Sequence, residues 1–307
     1  MSEEFSNSNA PNASGGYRGR LAPSPTGRLH LGHARTFWIA QTRARECGGA
    51  LLLRNDDLDE QRCRREFVAG MFEDLRWFGL EWSEGPDCGG PNGPYSQSER
   101  RKFYVDAFDK LLAAGAIYPC RCSRKDVMEA LSAPHEGEEE PVYPGTCRPE
   151  RVLKPIDICD SMKPQADRSR RGLVDANGGR INWRFRTPDG ESVAFNDGGF
   201  GPQHFTVGRD FGDFVLWRND DLPAYHLAVT VDDDAMGVTE VVRGKDLLTS
   251  TARQLLVLRA MGVTPPAYFH CPLVTDEAGV RLAKRHDALS LKTLRETGAD
   301  PLELTSV

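Results

Sequence analysis

The sequence predicts an α/β fold with a buried parallel sheet. Two stretches carry that prediction. Residues 20–33, RLAPSPTGRLHLGH, read as a short strand, a Pro/Gly turn and the start of a helix. Residues 50–54, ALLLR, form an apolar run behind Gly48 and Gly49, the pattern of a parallel strand covered on both faces. In the turn, Pro23 and Pro25 fix φ, while Gly27 and Gly32 permit backbone that other residues resist. Ala34, Phe37, Trp38 and Ala44 then recur close to helical spacing. His30 and His33 therefore stand at a helix N-terminus, where N–H groups and the helix dipole favour an anion. An H-x-x-H met alone is more often a solvent-facing pair, so the weight lies on the whole string.

With 307 residues the chain has room for one large domain or two modest ones. Hydrophobic residues at 39% and charged residues at 27% fit a soluble globular protein, and no apolar run reaches the length of a membrane span. Residues 1–17 are rich in Ser, Asn and Gly and lack a signal peptide's basic and apolar regions; they read as a disordered tail, and the cytoplasm is the expected compartment. A formal charge of −6 counts mildly against a nucleic-acid binder. It is not decisive, because phosphate contact needs only a local basic stripe.

Beyond the first apolar run comes the acidic segment Asn55-Asp56-Asp57-Leu58-Asp59. It follows a strand's C-terminal end, the edge where open α/β sheets bind ligands. Without that context it would read as a solvated loop. Phe67, Val68, Met71, Phe72, Leu75 and Phe78 mark an amphipathic helix ended by Gly79. Residues 80–98 are loop-like, and Ser98 is placed to cap a helix over 99–114. Cys120, Cys122 and Cys147 lie close enough in sequence to hold Zn²⁺ as thiolates. For the fourth ligand, His135 would be ordinary zinc chemistry and Tyr143 an unusual one. Residues 133–141 look like an exposed acidic insertion. The alternating segment 180–186 reads as a half-buried strand with Arg180, Arg184 and Arg186 on one face, either solvated or a basic edge for RNA. Thr249 or Ser250 would cap a helix running to Ala260.

The string from Arg20 to His33 resembles the signature of class I aminoacyl-tRNA synthetases, and its Arg-Leu-Ala-Pro-Ser-Pro-Thr-Gly part resembles the glutamyl branch. Trp82, Tyr95-Ser96-Gln97-Ser98 and the segments 212–218, 222–233 and 240–247 extend the likeness from about Arg18 to about Leu291. Three departures stand out. Asn55 replaces an apolar residue and Asp56 a glutamate. In Val280-Arg281-Leu282-Ala283-Lys284-Arg285, where the family carries Lys-Met-Ser-Lys-Ser, Lys284 retains the second lysine, while Arg281 and Ala283 replace the first lysine and the serine.

The resemblance implies a Rossmann-like parallel sheet in two halves, 18–98 and 207–262. An inserted zinc-bearing subdomain would occupy 99–206, and 263–307 would hold the lysine loop and a short helical segment, without an anticodon-binding domain. It implies that His30, Gly32, His33, Arg281 and Lys284 hold ATP, which brings Mg²⁺, with His30, His33 and Lys284 catalytic. Arg20, Leu21, Ala22, Pro23, Ser24, Asp56, Tyr225 and Arg243 would hold L-glutamate. Cys120, Cys122, Tyr143 and Cys147 would hold one Zn²⁺, the resemblance favouring Tyr143.

A full glutamyl-tRNA synthetase continues far beyond its lysine loop, whereas this sequence ends at Val307. With the zinc pattern, that resembles the truncated glutamyl-queuosine tRNA(Asp) synthetases, monomers by expectation, which esterify glutamate to queuosine in the anticodon of tRNA(Asp). Two rivals are carried: a glutamyl-transferring enzyme with another acceptor, and a non-catalytic tRNA- or zinc-binding paralogue, which Asn55 and Ala283 keep in play.

Overall fold

The computed structural model of the chain describes residues 16–130, 142–167, 172–274 and 290–305. In chain order its first elements are β1 (Arg18–Leu21), α1 (Leu31–Glu46), β2 (Ala50–Leu53), α2 (Arg65–Trp77), α3 (Arg101–Ala113), β3 (Ile117–Cys120) and α4 (Arg124–Ala130). Then come β4 (Asn182–Phe185), β5 (Ser192–Asp197), β6 (Gly201–Thr206), β7 (Val215–Trp217), α5 (Tyr225–Ala235), β8 (Glu240–Gly244), α6 (Leu248–Met261), β9 (Ala267–Cys271), α7 (Leu291–Glu296) and α8 (Pro301–Thr305).

β1 and β2 are parallel, in register from Arg18 opposite Ala50 to Leu21 opposite Leu53. The crossover is α1, whose buried stripe of Ala34, Phe37, Ala40 and Ala44 packs with Leu21, Leu51 and Leu53. The return from helix to strand is tight. Gly48 has φ +60°, and a Cβ on Gly49 would lie 2.3 Å from the Tyr17 carbonyl oxygen, so only glycine fits there. β8 and β9 form a second parallel pair, crossed by α6, which Gly262 ends at φ +71°. β1 runs alongside β8: the backbone N–H of Arg18 donates to Thr239 Oγ1 at 2.8 Å, and that of Thr239 donates to the Arg18 carbonyl at 2.9 Å. The chain winds outward from β1 to β2 and, on the other side, from β8 to β9. The strand order thus reverses between β1 and β8, and such a reversal opens a ligand crevice at the strands' C-terminal ends.

The remaining strands make the architecture mixed. β3, β4 and β7 form an antiparallel sheet, and the β5–β6 hairpin joins the second parallel pair through β9. The sheets interleave in sequence: β5 and β6 complete the β8–β9 sheet, while β7, which follows them, extends the β3–β4 sheet. Phe108 of α3 sits edge-on to Trp183 and Trp217, tying this smaller sheet to the main core. No helix among the described residues is long and apolar enough to cross a membrane.

Three local expectations are corrected. Ser98 does not cap a helix; residues 97–99 form a 3₁₀ turn, α3 begins at Arg101, and the Ser98 hydroxyl donates to Asp57 at 2.8 Å instead. Thr249 and Ser250 lie inside the first turn of α6, because the turn over 245–247 already starts the helix. Arg184 is no open basic edge. It is buried, with Nε donating to Cys120 Sγ at 3.2 Å and Nη1 to the Asp213 carbonyl at 3.0 Å.

Candidate active site

The crevice begins at the N-terminus of α1. His30 is the N-cap residue, extended at φ −123° and ψ 167°, and its carbonyl accepts from the backbone N–H groups of His33 and Ala34. The imidazoles of His30 and His33 lie against each other, tilted by 30° with centroids 3.7 Å apart. A Cβ on Gly32 would sit 3.9 Å from Val274 Cβ, the last described residue before 275. The chain re-enters at Ser290, which pairs with His30 as an antiparallel bridge. Arg281 and Lys284 lie outside the described residues, but both anchors of their segment adjoin the histidine turn.

Next to this turn the ends of β1 and β2 are laced together. Arg54 N–H donates to the Leu21 carbonyl at 2.8 Å and Asp56 N–H to the Pro23 carbonyl at 3.1 Å. That brings Asp56 against the segment of Leu21, Ala22, Pro23 and Ser24. Behind it runs a buried chain of charge. Arg54, fully buried, donates to Asp56 and to Asp233 Oδ1 at 2.6 Å each. Asp233 also meets Arg20 at 3.4 Å, and Arg20 Nη1 donates to the carbonyl of Val242 at 3.0 Å, one residue before Arg243. Asp232, next on α5, gathers Arg100 at 2.6 Å, Gln97 at 2.8 Å and Tyr104 at 2.9 Å. Burial pushes the Asp56 carboxyl up to about 6, against the pull of Arg54. Burial acts on Asp233 in the same sense, but the charges of Arg54 and Arg20 outweigh it and hold that carboxyl below its usual range.

Asn55 is built into this edge. Its amide donates to Asp57 at 3.0 Å and Ser96 at 3.3 Å, and its backbone pairs with the 95–97 segment. The polar side chain in a strand-end position is therefore explained by local bonding.

The far wall is Arg243 at the end of β8. Nη1 donates to Tyr225 Oη at 3.3 Å, Nη2 to Thr251 Oγ1 at 2.7 Å, and Nε to His270 Nε2 at 3.2 Å. Tyr225 opens α5 and is 42% exposed, so it stands at the mouth while Arg243 is recessed. Arg20, Asp56, Tyr225 and Arg243 are thus brought to one crevice.

Cys120, Cys122 and Cys147 also converge, with their sulfurs within 4.8 Å of one another. Tyr143 completes the group: its hydroxyl is 3.4 Å from Cys120 Sγ and 3.5 Å from Cys122 Sγ, and accepts from Cys147 N–H at 2.8 Å. Zn–S bonds of about 2.3 Å in a tetrahedron put sulfurs about 3.8 Å apart, so the spacing fits zinc. Arg184 lies over the Tyr143 ring at 3.8 Å and against Cys120, supplying a positive charge beside the thiols. His135 lies outside the described residues.

The sequence reading passed over Arg54, Arg100, Asp232, Asp233, Asp197, Thr251 and His270. A signal existed for some. Asp232 and Asp233 follow the apolar run Leu227-Ala228-Val229 on one helix, and His270 interrupts the apolar strand Tyr268-Phe269-His270-Cys271. Buried polar residues of these kinds demand partners.

Residues 17–307 match the family described as tRNA synthetases class I (E and Q), catalytic domain. The chain belongs to that family of ligases. Within it, the chain groups with the glutamyl-Q tRNA(Asp) synthetases. That of Nitratidesulfovibrio vulgaris is 49% identical over 288 residues, spanning 94% of this chain and 84% of the relative. That of Symbiobacterium thermophilum is 48% identical over 284 residues, spanning 92% and 82%. A glutamate tRNA ligase from Elizabethkingia meningosepticum, solved in complex with its amino acid, superposes with a TM-score of 0.71 at 28% identity. The match covers 92% of this chain and 53% of that ligase, so the chain spans about half its length.

Proposed function

We propose that the chain activates L-glutamate with ATP and transfers the glutamyl group to queuosine in the anticodon of tRNA(Asp). The observation that carries this reading is the crevice itself, with an anion-favouring helix start and the Asp56 carboxylate on one side and the Arg243 fork on the far wall. The similarity to two glutamyl-Q tRNA(Asp) synthetases supports the acceptor.

An amino acid in this crevice would meet opposite charges at its two ends. Asp56 takes the ammonium, and Arg243 with Tyr225 takes the side-chain carboxylate, since a guanidinium fork suits a carboxylate. Arg20 and the 21–24 backbone hold the α-carboxylate toward ATP. That carboxylate attacks the α-phosphorus and pyrophosphate leaves. Charge builds on phosphate oxygens, so positioned donors and cations are the main requirement. His30, His33 and the N–H groups at Gly32 meet the phosphates; Arg281 and Lys284 neutralise the pyrophosphate side, and Mg²⁺ accompanies ATP. A cyclopentene diol hydroxyl of queuosine then attacks the mixed anhydride and AMP leaves. Cys120, Cys122, Cys147 and Tyr143 would hold a zinc ion, which would supply a structural cross-link between the smaller sheet and the loop before Cys147. The reading makes the enzyme a cytoplasmic monomer, with glutamate, ATP and queuosine-bearing tRNA(Asp) as its partners.

The test offers labelled glutamate to tRNA(Asp) with and without queuosine, and to each after periodate oxidation of the 3′ end with the base diol protected. Label is expected on queuosine-bearing tRNA alone, with the 3′ end intact or oxidised. Glutamate on unmodified tRNA(Glu), or label lost with the 3′ adenosine, would overturn the acceptor.

A further inference from the structure

His270 is fully buried in β9, behind Arg243 and away from the crevice mouth. Its Nδ1 lies 2.6 Å from Asp197 Oδ2, and Asp197 is itself buried at the end of β5. Asp197 is fixed as an acceptor on its other side. Oδ1 takes the backbone N–H groups of Gly199 at 3.0 Å, Phe200 at 2.9 Å and His270 at 3.2 Å. An ionised carboxylate can only accept, so the proton of the pair sits on His270 Nδ1. Burial keeps the ring neutral by lowering its pKa, and Nε2 is then a bare lone pair. Arg243 Nε–H donates to that lone pair at 3.2 Å.

A guanidinium has five N–H groups. Three are consumed by His270, Thr251 and Tyr225. Among the described residues one remains on each terminal nitrogen, which is the pair a carboxylate can take in bidentate fashion. A carboxamide would turn an NH₂ against one of them. We propose that His270, held as the Nδ1–H tautomer by Asp197, is a positioning residue that orients Arg243 to accept a side-chain carboxylate and reject a carboxamide. The inference rests on the reading that Arg243 binds the glutamate side chain.

Asp197→Asn is the sharp test, because it is nearly isosteric. The Gly199 and Phe200 N–H groups keep its Oδ1 position an oxygen, so the NH₂ falls opposite His270 Nδ1. The ring must then accept there and carry its proton on Nε2, facing the Arg243 Nε–H. The flipped N–H would turn toward Thr251 Oγ1, 3.1 Å away, or the Leu247 carbonyl, and the Arg243 Nε–H would lose its acceptor. Imidazole ¹⁵N shifts of the full chain report the tautomer directly. The expected result is a flipped tautomer and a KM for glutamate raised about tenfold to a hundredfold in pyrophosphate exchange with tRNA present. The KM for ATP should hold, and the preference for glutamate over glutamine should shrink. His270→Gln, whose amide can donate to Asp197 and accept from Arg243, should restore the KM to within a few-fold, whereas His270→Leu should not. A flipped ring with unchanged KM and unchanged discrimination overturns the proposal, as does an Asp197→Asn ring that keeps its Nδ1 proton. Arg243→Ala separates the underlying reading. If it leaves the KM for glutamate untouched, Arg243 does not hold the substrate, and that reading fails whatever the tautomer does.

Discussion

Ser290 stands opposite His30 as an antiparallel backbone pair, and Leu291 N–H donates to the Leu29 carbonyl at 2.8 Å. The segment bearing Lys284 is therefore pinned at its far end to the turn that presents the histidines. At its near end Val274 adjoins Gly32.

Lys284→Ala should for that reason slow adenylate formation more than it weakens glutamate binding. A cation meeting pyrophosphate contributes mainly in the transition state. The expected loss is about 2–4 kcal/mol, a rate decrease of about 10²–10³. Single-turnover adenylate formation measures it, and an unchanged rate would show that the loop's departures at Arg281 and Ala283 have removed its role.

Asp56 sets a pH dependence. Its carboxyl lies at about 6 in the folded chain, and near the ordinary aspartate value of about 3.9 when unfolded. The folded state binds this proton more tightly, so stability from this group is fully present at acid pH and is lost as pH rises through about 6. Capture of an ammonium runs the other way, because it needs the carboxylate. The kcat/KM for glutamate should fall below pH 6 while acidification to pH 5 costs no stability at this residue. A profile for glutamate that stays flat down to pH 5, with ATP saturating, would remove Asp56 from the ammonium site.

Arg54 carries the interior of the site. Its guanidinium binds Asp56 and Asp233 with no exposed surface. Arg54→Ala would strip Asp56 of its guanidinium partner and leave Asp233 with Arg20 alone, and breaking a buried pair costs about 3–5 kcal/mol. The urea midpoint should drop accordingly. A midpoint within error of the parent would mean that the two aspartates reorganise or protonate at little cost.

These cases also mark what the sequence could reveal. The 20–33 turn was legible because Pro, Gly and His act through local backbone preference. The Cys120, Cys122 and Cys147 grouping was legible because its members lie close in the chain, whereas spacing left Tyr143 and His135 open and only the family resemblance favoured Tyr143. Arg54 with Asp233 was not, since the partners are separated by 179 residues and nothing local in Arg54 announces a buried ion pair. Alternation along 180–186 put Arg184 on a face but could not say that Tyr143 and Cys120 would cover it. Ser98 had the right residue type for a cap. Its hydroxyl found Asp57 instead, a contact that exists only once β2 and the 95–98 segment lie side by side.

Zinc gives the last test. Three sulfurs and one phenol oxygen at near-tetrahedral spacing imply about one Zn²⁺ per chain. The Cys122→Ser, Cys147→Ser double variant should lose it; full retention would refute the ligand set. Tyr143→Phe distinguishes ligand from neighbour. If the phenol oxygen binds the metal, zinc affinity should fall and the tyrosine absorbance change on metal removal should disappear. If affinity and absorbance are unmoved, His135 becomes the fourth ligand. Arg184→Met probes the charge beside the thiolates. It keeps much of the side chain's length but removes the guanidinium that faces Cys120. Thiolates bound to zinc carry net negative charge, so zinc should be released faster to a chelator in this variant. Lost zinc should in turn loosen the 143–147 loop, because structural zinc contributes folding energy directly. Proteolysis within that loop on chelator treatment is the expected sign, with the β1–β2 and β8–β9 pairs remaining protected.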